Sequence, residues 1–291
     1  MSRCFAFFCA CLLSLVSISS AGFAAAVDDI AFTLSPSGNG ESAVHGDFRQ
    51  ERNGRVRNNW TSSFLPREFT GLDHAGFRAA GTRPLRFALI REAGRLDCAG
   101  HGGASRATGN CRFSADPAFT AALARLGVGR PDAAQAFGLM SLNARRSTVE
   151  AIVAARYPVK SVDQLLGLTA LGVDAAYIRG MAAAGYRLRS IDDLIEFKAL
   201  GITPEWVQTF VRAGYSNLPA DHLVQMKALN INPDFVAGFE RIGYGRLPVD
   251  SLVQLKALGV SPEWAREMER RHGHRPTVDQ LVQMKALGFE N

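Results

Sequence analysis

Residues 223–229 read LVQMKAL, residues 281–287 repeat them letter for letter, and LVQLKAL stands between the two at 252–258. A heptapeptide copied at intervals of 29 residues is either a site presented several times or the part of a building block that stacking forbids to vary. The neighbouring columns favour the building block. Gly172, Gly201, Asn230, Gly259 and Gly288 are 29 apart, as are Asp163, Asp192, Asp221, Asp250 and Asp279. Tyr157, Tyr186, Tyr215 and Tyr244 keep the same interval, and so do Tyr177, Trp206, Phe235 and Trp264. Several independent columns agreeing on one period is the signature of a repeat architecture.

The period extends towards the N-terminus. DPAF at 116–119 matches NPDF at 232–235, Gly127 falls on the column of Gly185, and Asn143 falls on that of Gly172. The array therefore reads as 115–291. It holds a half unit at 116–127, a degenerate unit at 128–156, units at 157–185, 186–214, 215–243 and 244–272, and a half unit at 273–291.

Each unit reads as two short helices. The first opens near Ser161, Ser190 or Thr277 with an acid close behind, a capping signature. It closes at a glycine or asparagine that tolerates left-handed backbone. The second opens with TPEW, NPDF or SPEW: a cap at Thr203, Asn232 or Ser261, proline in the first turn, then an acid suited to the positive end of the helix dipole. Helices of about ten residues do not hold alone in water. Burying their apolar faces on one another is expected to give an α-solenoid-like stack.

The stretch before the array has another character. IAFTL (30–34), RVRNNWTSSF (55–64) and PLRFALIRE (84–92) are rich in β-formers and separated by glycines, and 65–80 is expected to hold a short helical turn. RLDCAG and GNCRFS flank HGGASRAT; folded about its centre, this hairpin sets Cys98 opposite Cys111, Leu96 opposite Phe113 and Gly100 opposite Gly109. Cys98 and Cys111 are accordingly expected to form a disulfide, since two cysteines and His101 supply too few ligands for a metal. The whole is expected to be α+β, with a small β-domain over 27–114, a sandwich or a curled sheet, followed by the array.

Residues 1–26 read as a cleaved secretory signal: Arg3, an apolar run from Phe5 to Val16, and a small-residue site at Ala24–Ala26. Cys4, Cys9 and Cys11 fall within it, and the expected location is periplasmic or secreted after cleavage near Ala26. No later stretch is long and apolar enough to cross a membrane. Charge is uneven. Residues 27–156 carry 17 Arg, no Lys and 12 acids, whereas 157–291 carry 15 basic and 15 acidic residues. The basic excess suits an anionic partner of the front half, or arginines scattered over a solvated sheet.

The sequence contains no G-x-S-x-G, P-loop, C-x-x-C or Rossmann glycine pattern. His272-Gly-His274 lies in a loop between units, beside Arg266, Arg270, Arg271 and Arg275, which repel a cation. No catalytic residue, metal or cofactor is assigned. One column asks for a role: Lys198, Lys227, Lys256 and Lys285. On a helical wheel Lys227 falls inside the apolar arc of Leu223 and Val224. Its stem then covers core while its ammonium reaches water or an acid, either of the Glu205, Asp234, Glu263 column or of the Asp192, Asp221, Asp250, Asp279 column. Alternatively the four lysines form a partner-facing ladder.

The residues Tyr186, Leu188, Asp192, Leu194, Gly201, Ile202, Thr203, Pro204, Glu205, Trp206, Val207 and Gly214 carry a resemblance. The chain resembles a family of bacterial secreted or envelope proteins that pair a small β-domain with tandem helical repeats. Similar repeats extend the C-termini of sensor-type membrane metallopeptidases, whose H-E-x-x-H and membrane spans are missing here. The hairpin AGRLDCAGHGGASRATGNCRFSADPAF is also similar to that family's. The resemblance implies an architecture and an envelope location, and lends no catalytic residues. The leading expectation is a non-enzymatic periplasmic or secreted scaffold for protein partners, with envelope signalling as the role considered for it. A helix-hairpin-helix-like nucleic-acid binder is the alternative, opposed by the array's neutrality and a missing second hairpin glycine. An enzyme with its site near His101 in the β-domain is the third.

Overall fold

Alternation of side chains along extended backbone sorts the N-terminal half into one antiparallel sheet. Its strands are β1 (Ala26–Pro36), β2 (Val44–Arg52), β3 (Arg55–Phe64), β4 (Phe69–Thr70), β5 (Arg83–Arg91), β6 (Gly94–Gly103) and β7 (Arg106–Ala115), in the order β3-β2-β1-β7-β6-β5-β4. The structure is a computed structural model that describes residues 26–37, 43–52, 55–186 and 190–289, so the expected leader, Ala26 excepted, lies outside the described residues.

Of the two forms expected for the β-domain, the single sheet is the one found, and chain connectivity requires it to curl. Strands β3 and β4 are its opposite edges, yet a 3-10 turn (Pro66–Glu68) joins them. Laid flat, seven strands at about 4.8 Å spacing would hold the edges about 29 Å apart. The five steps from Phe64 to Phe69 reach at most about 18 Å. Ring contacts agree: Phe64 and Phe69 lie 5.2 Å apart across the seam, and Phe32 of β1 touches Phe87 of β5 at 5.1 Å although two strands lie between them. The inner face is this aromatic core, buried together with Ile30, Leu34, Phe48, Leu89, Leu96 and Phe113. Gly46 of β2 is needed there, because a Cβ would lie 2.9 Å from the rings of both Phe48 and Phe64.

The hairpin of β6 and β7 has the register expected from sequence, with Cys98 opposite Cys111, Leu96 opposite Phe113 and Gly100 opposite Gly109. Cys98 and Cys111 are bonded, their Cα atoms 4.0 Å apart. The tip is formed by Ala104 and Ser105, both at positive φ, and not by the glycines beside them. Helix α1 (His74–Arg78) secures this tip: Ala104 N donates to Ala79 O at 2.7 Å and Ser105 N to Phe77 O at 2.9 Å.

From Pro117 onwards the described residues are helical with short turns. One layer contains α2 (Pro117–Arg125), α4 (Arg146–Ala154), α6 (Ala175–Ala183), α8 (Pro204–Arg212), α10 (Pro233–Arg241) and α12 (Pro262–His272). The other contains α3 (Ala133–Ser141), α5 (Val162–Ala170), α7 (Ile191–Ala199), α9 (Ala220–Ala228), α11 (Val249–Ala257) and α13 (Val278–Ala286). Within each layer every helix starts 29 residues after the one before. Like packs on like: α4 on α6, α6 on α8, α3 on α5, α5 on α7, α9 on α11 and α11 on α13.

Local chemistry sets these boundaries. Asp116, Asp174, Thr203, Asn232 and Ser261 each accept from the backbone N–H three residues on, which begins the helix. At the end of α7, Gly201 N donates to Lys198 O and Ile202 N to Phe197 O, with Gly201 at φ 66°, a Schellman closure. Helix α12 runs to 11 residues where the other helices of the array have 9. His272 stands in its glycine column, so the helix continues to Gly273, which takes φ 74°. The degenerate unit accepts a strained closure instead, with Arg156 at φ 60°.

Sheet and array share one core. A continuous buried cluster runs from Val27 through the sheet and the first helices to Leu223, and a second runs from Phe210 to Leu281. Helix α3 packs on β1, β6 and β7, and its Phe137 meets Phe113 at 5.5 Å and Trp60 at 6.5 Å. The β5–β6 turn clamps this junction. Arg91 Nη1 donates to Met140 O at 2.9 Å and Ser141 O at 2.7 Å, at the C-terminus of α3. Glu92 Oε2 accepts from Arg146 N at 2.7 Å, at the N-terminus of α4. Arg145 occupies the cap column and offers no side-chain cap, so a carboxylate of the sheet performs that task. Each charge sits at the helix end whose dipole favours it.

Candidate functional site

The repeated lysines meet aromatic rings. Lys198 Nζ lies 4.6 Å from the centre of the Tyr177 ring, Lys227 5.2 Å from Trp206, Lys256 4.7 Å from Phe235 and Lys285 5.2 Å from Trp264. In each pair the lysine belongs to the first helix of one unit and the ring to the second helix of the unit before, 21 residues earlier. Neither acid column proposed from the sequence supplies the partner; among the described residues no carboxylate pairs with these lysines. The helical wheel located the lysine beside apolar surface correctly, but the attraction comes from the negative face of a ring. The four lysines are half-buried.

The tyrosine column latches the same units together. Tyr215 Oη donates to Leu247 O at 2.7 Å and Tyr244 Oη to Pro276 O at 2.8 Å, while Tyr186 Oη accepts from Leu218 N at 2.9 Å. Each bond spans 32 residues and reaches the turn before the next first helix. Tyr177 Oη donates to Ile202 O at 2.8 Å. Burial pushes the phenols of Tyr177 and Tyr244 up to about 12; neighbouring Tyr157 adds to the first, and at the second Glu269 raises the value further while Arg275 opposes it. Arg246 and Arg275 form another column, donating to Gly214 O at 2.9 Å and Gly243 O at 2.8 Å. Prolines complete the contact: Pro262 lies so close to Gly238, in the middle of α10, that a Cβ there would be 2.5 Å from its ring.

At Lys256 these contacts border a shallow groove. It has a volume of about 410 Å³ and is lined by Asp234, Phe235, Arg241 and Glu263 among others. Glu263, at the first turn of α12, is held below the usual carboxylate range mainly by hydrogen bonds with its own backbone and with Ser261.

Other residues considered for chemistry are dispersed. His272 and His274 face each other with ring centres 6.4 Å apart, and their Nδ1 atoms contact Met268 O and His272 O. Glu267 bonds Arg270 and Arg271 beside them. Among the described residues no three His, Cys, Asp or Glu side chains converge on a point. His101 is exposed on the outer face of β6 and does not line the cavity formed by Arg86, Asp97, Ala99 and Asn110 on the same face. Among the described residues no single helix is long and apolar enough to cross a membrane.

The molecule is thus an α+β protein, a curled antiparallel sheet with a C-terminal helical array. The chain matches no family model, no curated protein and no solved structure.

Proposed function

We propose that the chain is a non-enzymatic interaction scaffold of the bacterial cell envelope or its exterior, built as an α-solenoid-like array of 29-residue repeats. Its protein partner lies along the face that carries Lys198, Lys227, Lys256 and Lys285. The observation that supports this reading is the ladder itself: four half-buried lysines, each with its ammonium on a ring and none paired with an acid among the described residues. Neighbouring stacked helices are about 8–10 Å apart, so the ladder offers positive charge at a regular step. The secretory signal over 1–26 and the resemblance to envelope repeat proteins support the location.

The double substitution Lys227→Met and Lys256→Met tests the proposal. Methionine keeps the apolar stem and removes the charge, at a cost of about 0.5–1 kcal/mol per exposed cation–ring contact. The expected result is a melting temperature within a few degrees of the parent and loss of the partner that crosslinking and pull-down recover from envelope extracts. Unfolding of the array by the double variant, or full retention of partner capture, would assign the ladder to stacking alone.

A further inference from the structure

A second cavity is unrelated to the ladder. It is an open trough of about 940 Å³ on the outer face of the sheet, crossing β5, β6, β7 and β1. Strand register defines it. One row across the sheet is Arg86, Ala99, Asn110 and Ala31; the next is Ala88, Asp97 and Arg112. Ala88 and Ala99 make a floor of short side chains between longer ones, and Thr70 and Gly71 of the β4 edge form one wall.

The opposite wall is a β-bulge. Pairing between β1 and β7 skips from Val27 to Ile30, so Asp28 and Asp29 together face Arg112. Arg112 bonds Asp28 at 2.8 Å, and on β6 Arg95 bonds Asp97 at 2.6 Å. Three aspartates and three arginines line the trough, and these two pairs consume two of each. Arg86 remains on the β5 side and Asp29 on the β1 side, both exposed and neither paired among the described residues. Asp29 is held at φ 58°, left-handed backbone that aspartate tolerates better than most residues and that suits the bulge. The trough is therefore neutral in sum and dipolar in layout. Thr70 and Asn110 add a hydroxyl and an amide, while the strand backbone beneath is already paired in the sheet.

We propose that this trough binds a short peptide with free termini. Its carboxylate lies on Arg86, which offers a planar two-pronged donor, and its ammonium lies on Asp29. Three inter-strand gaps of about 4.8 Å separate β5 from β1, about 14 Å in all. Allowing for the inward reach of both side chains, an extended peptide of about three or four residues spans the distance. The alanine floor suits small side chains, and Asn110 and Thr70 are placed for its peptide groups. An anionic polymer is disfavoured by Asp28, Asp29 and Asp97 in the same lining.

Titration of the full mature chain with tetra-alanine, followed through the backbone amide shifts of Ala99 and Asn110, tests the assignment. N-acetylated and C-amidated tetra-alanine are the controls. The free peptide is expected to bind about tenfold more tightly than either blocked form. Arg86→Gln should lose discrimination against the amidated peptide alone, and Asp29→Asn against the acetylated peptide alone. Both residues are exposed, and an unchanged far-ultraviolet spectrum and melting temperature show that each variant is folded. No binding of tetra-alanine up to about 10 mM, equal binding of free and blocked peptides, or variants that leave the discrimination intact would each overturn the proposal.

Discussion

The sheet and the array solve the same burial problem at opposite ranges. In the sheet, β1 pairs with β7 across some 80 residues of sequence and the two edges are drawn together by a 3-10 turn, so closing the core requires nearly every strand. In the array a lysine finds its ring 21 residues away and a tyrosine its carbonyl 32 away. Every such contact links a unit only to its neighbour. The sheet should accordingly fold as one cooperative object, while array stability is a sum of unit and interface terms.

The junction is where the two modes meet, and breaking it should have the largest effect. Phe137→Ala removes the ring that α3 inserts between Phe113 and Trp60; a loss of about 4 kcal/mol is expected, with both halves destabilised in denaturant melts. Loss confined to one half would show that the junction does not couple them. Arg91→Met is the next in size, at about 3 kcal/mol. It strips two carbonyls at the end of α3 of their donor and leaves Glu68 without the guanidinium that stacks on Trp60. Burial already lowers the Arg91 pKa, and Glu68 opposes that shift, so the ion pair and the carbonyls together hold the charge in place.

Arg156→Gly tests the array alone. Relief of a left-handed arginine in the degenerate unit should raise stability by about 1 kcal/mol, visible as a higher midpoint for helix loss. The mildest probe near neutrality is pH. All five tyrosines lie in the array. The phenols of Tyr177 and Tyr244 titrate near 12 when folded, against an ordinary value near 10. A folded-state value above the unfolded one means that stability is complete below pH 10 and is lost as pH rises towards 12. Alkaline titration should therefore loosen the array before the sheet, with tyrosinate absorbance rising together with loss of helix. Simultaneous loss of the sheet would erase the distinction.

Much of this architecture was legible because its causes are local. Caps such as Thr203 and Asn232, closures such as Gly201, and the facing of Cys98 and Cys111 each depend on a few adjacent residues. Strand β2 escaped notice because Gly46 interrupts its alternation, and only the rings of Phe48 and Phe64 explain why glycine stands there. The ring beneath each lysine is hidden in the sequence for a related reason. Opposite charge is the obvious complement to an ammonium in sequence, whereas the ring that receives it lies on another helix of another unit. The trough was not visible at all, since Arg86 and Asp29 are brought to one face only by the pairing of four strands.

The sequence by itself determined the 29-residue step, the two helices within it, their ends, and the disulfide hairpin, because propensity, capping and periodicity act over a turn or two of chain. Only the tertiary structure decided the curl of the sheet, the Arg91–Glu92 clamp that joins it to the array, the rings beneath the lysines and the dipolar trough. These depend on distances between residues far apart in the chain, which no local pattern encodes.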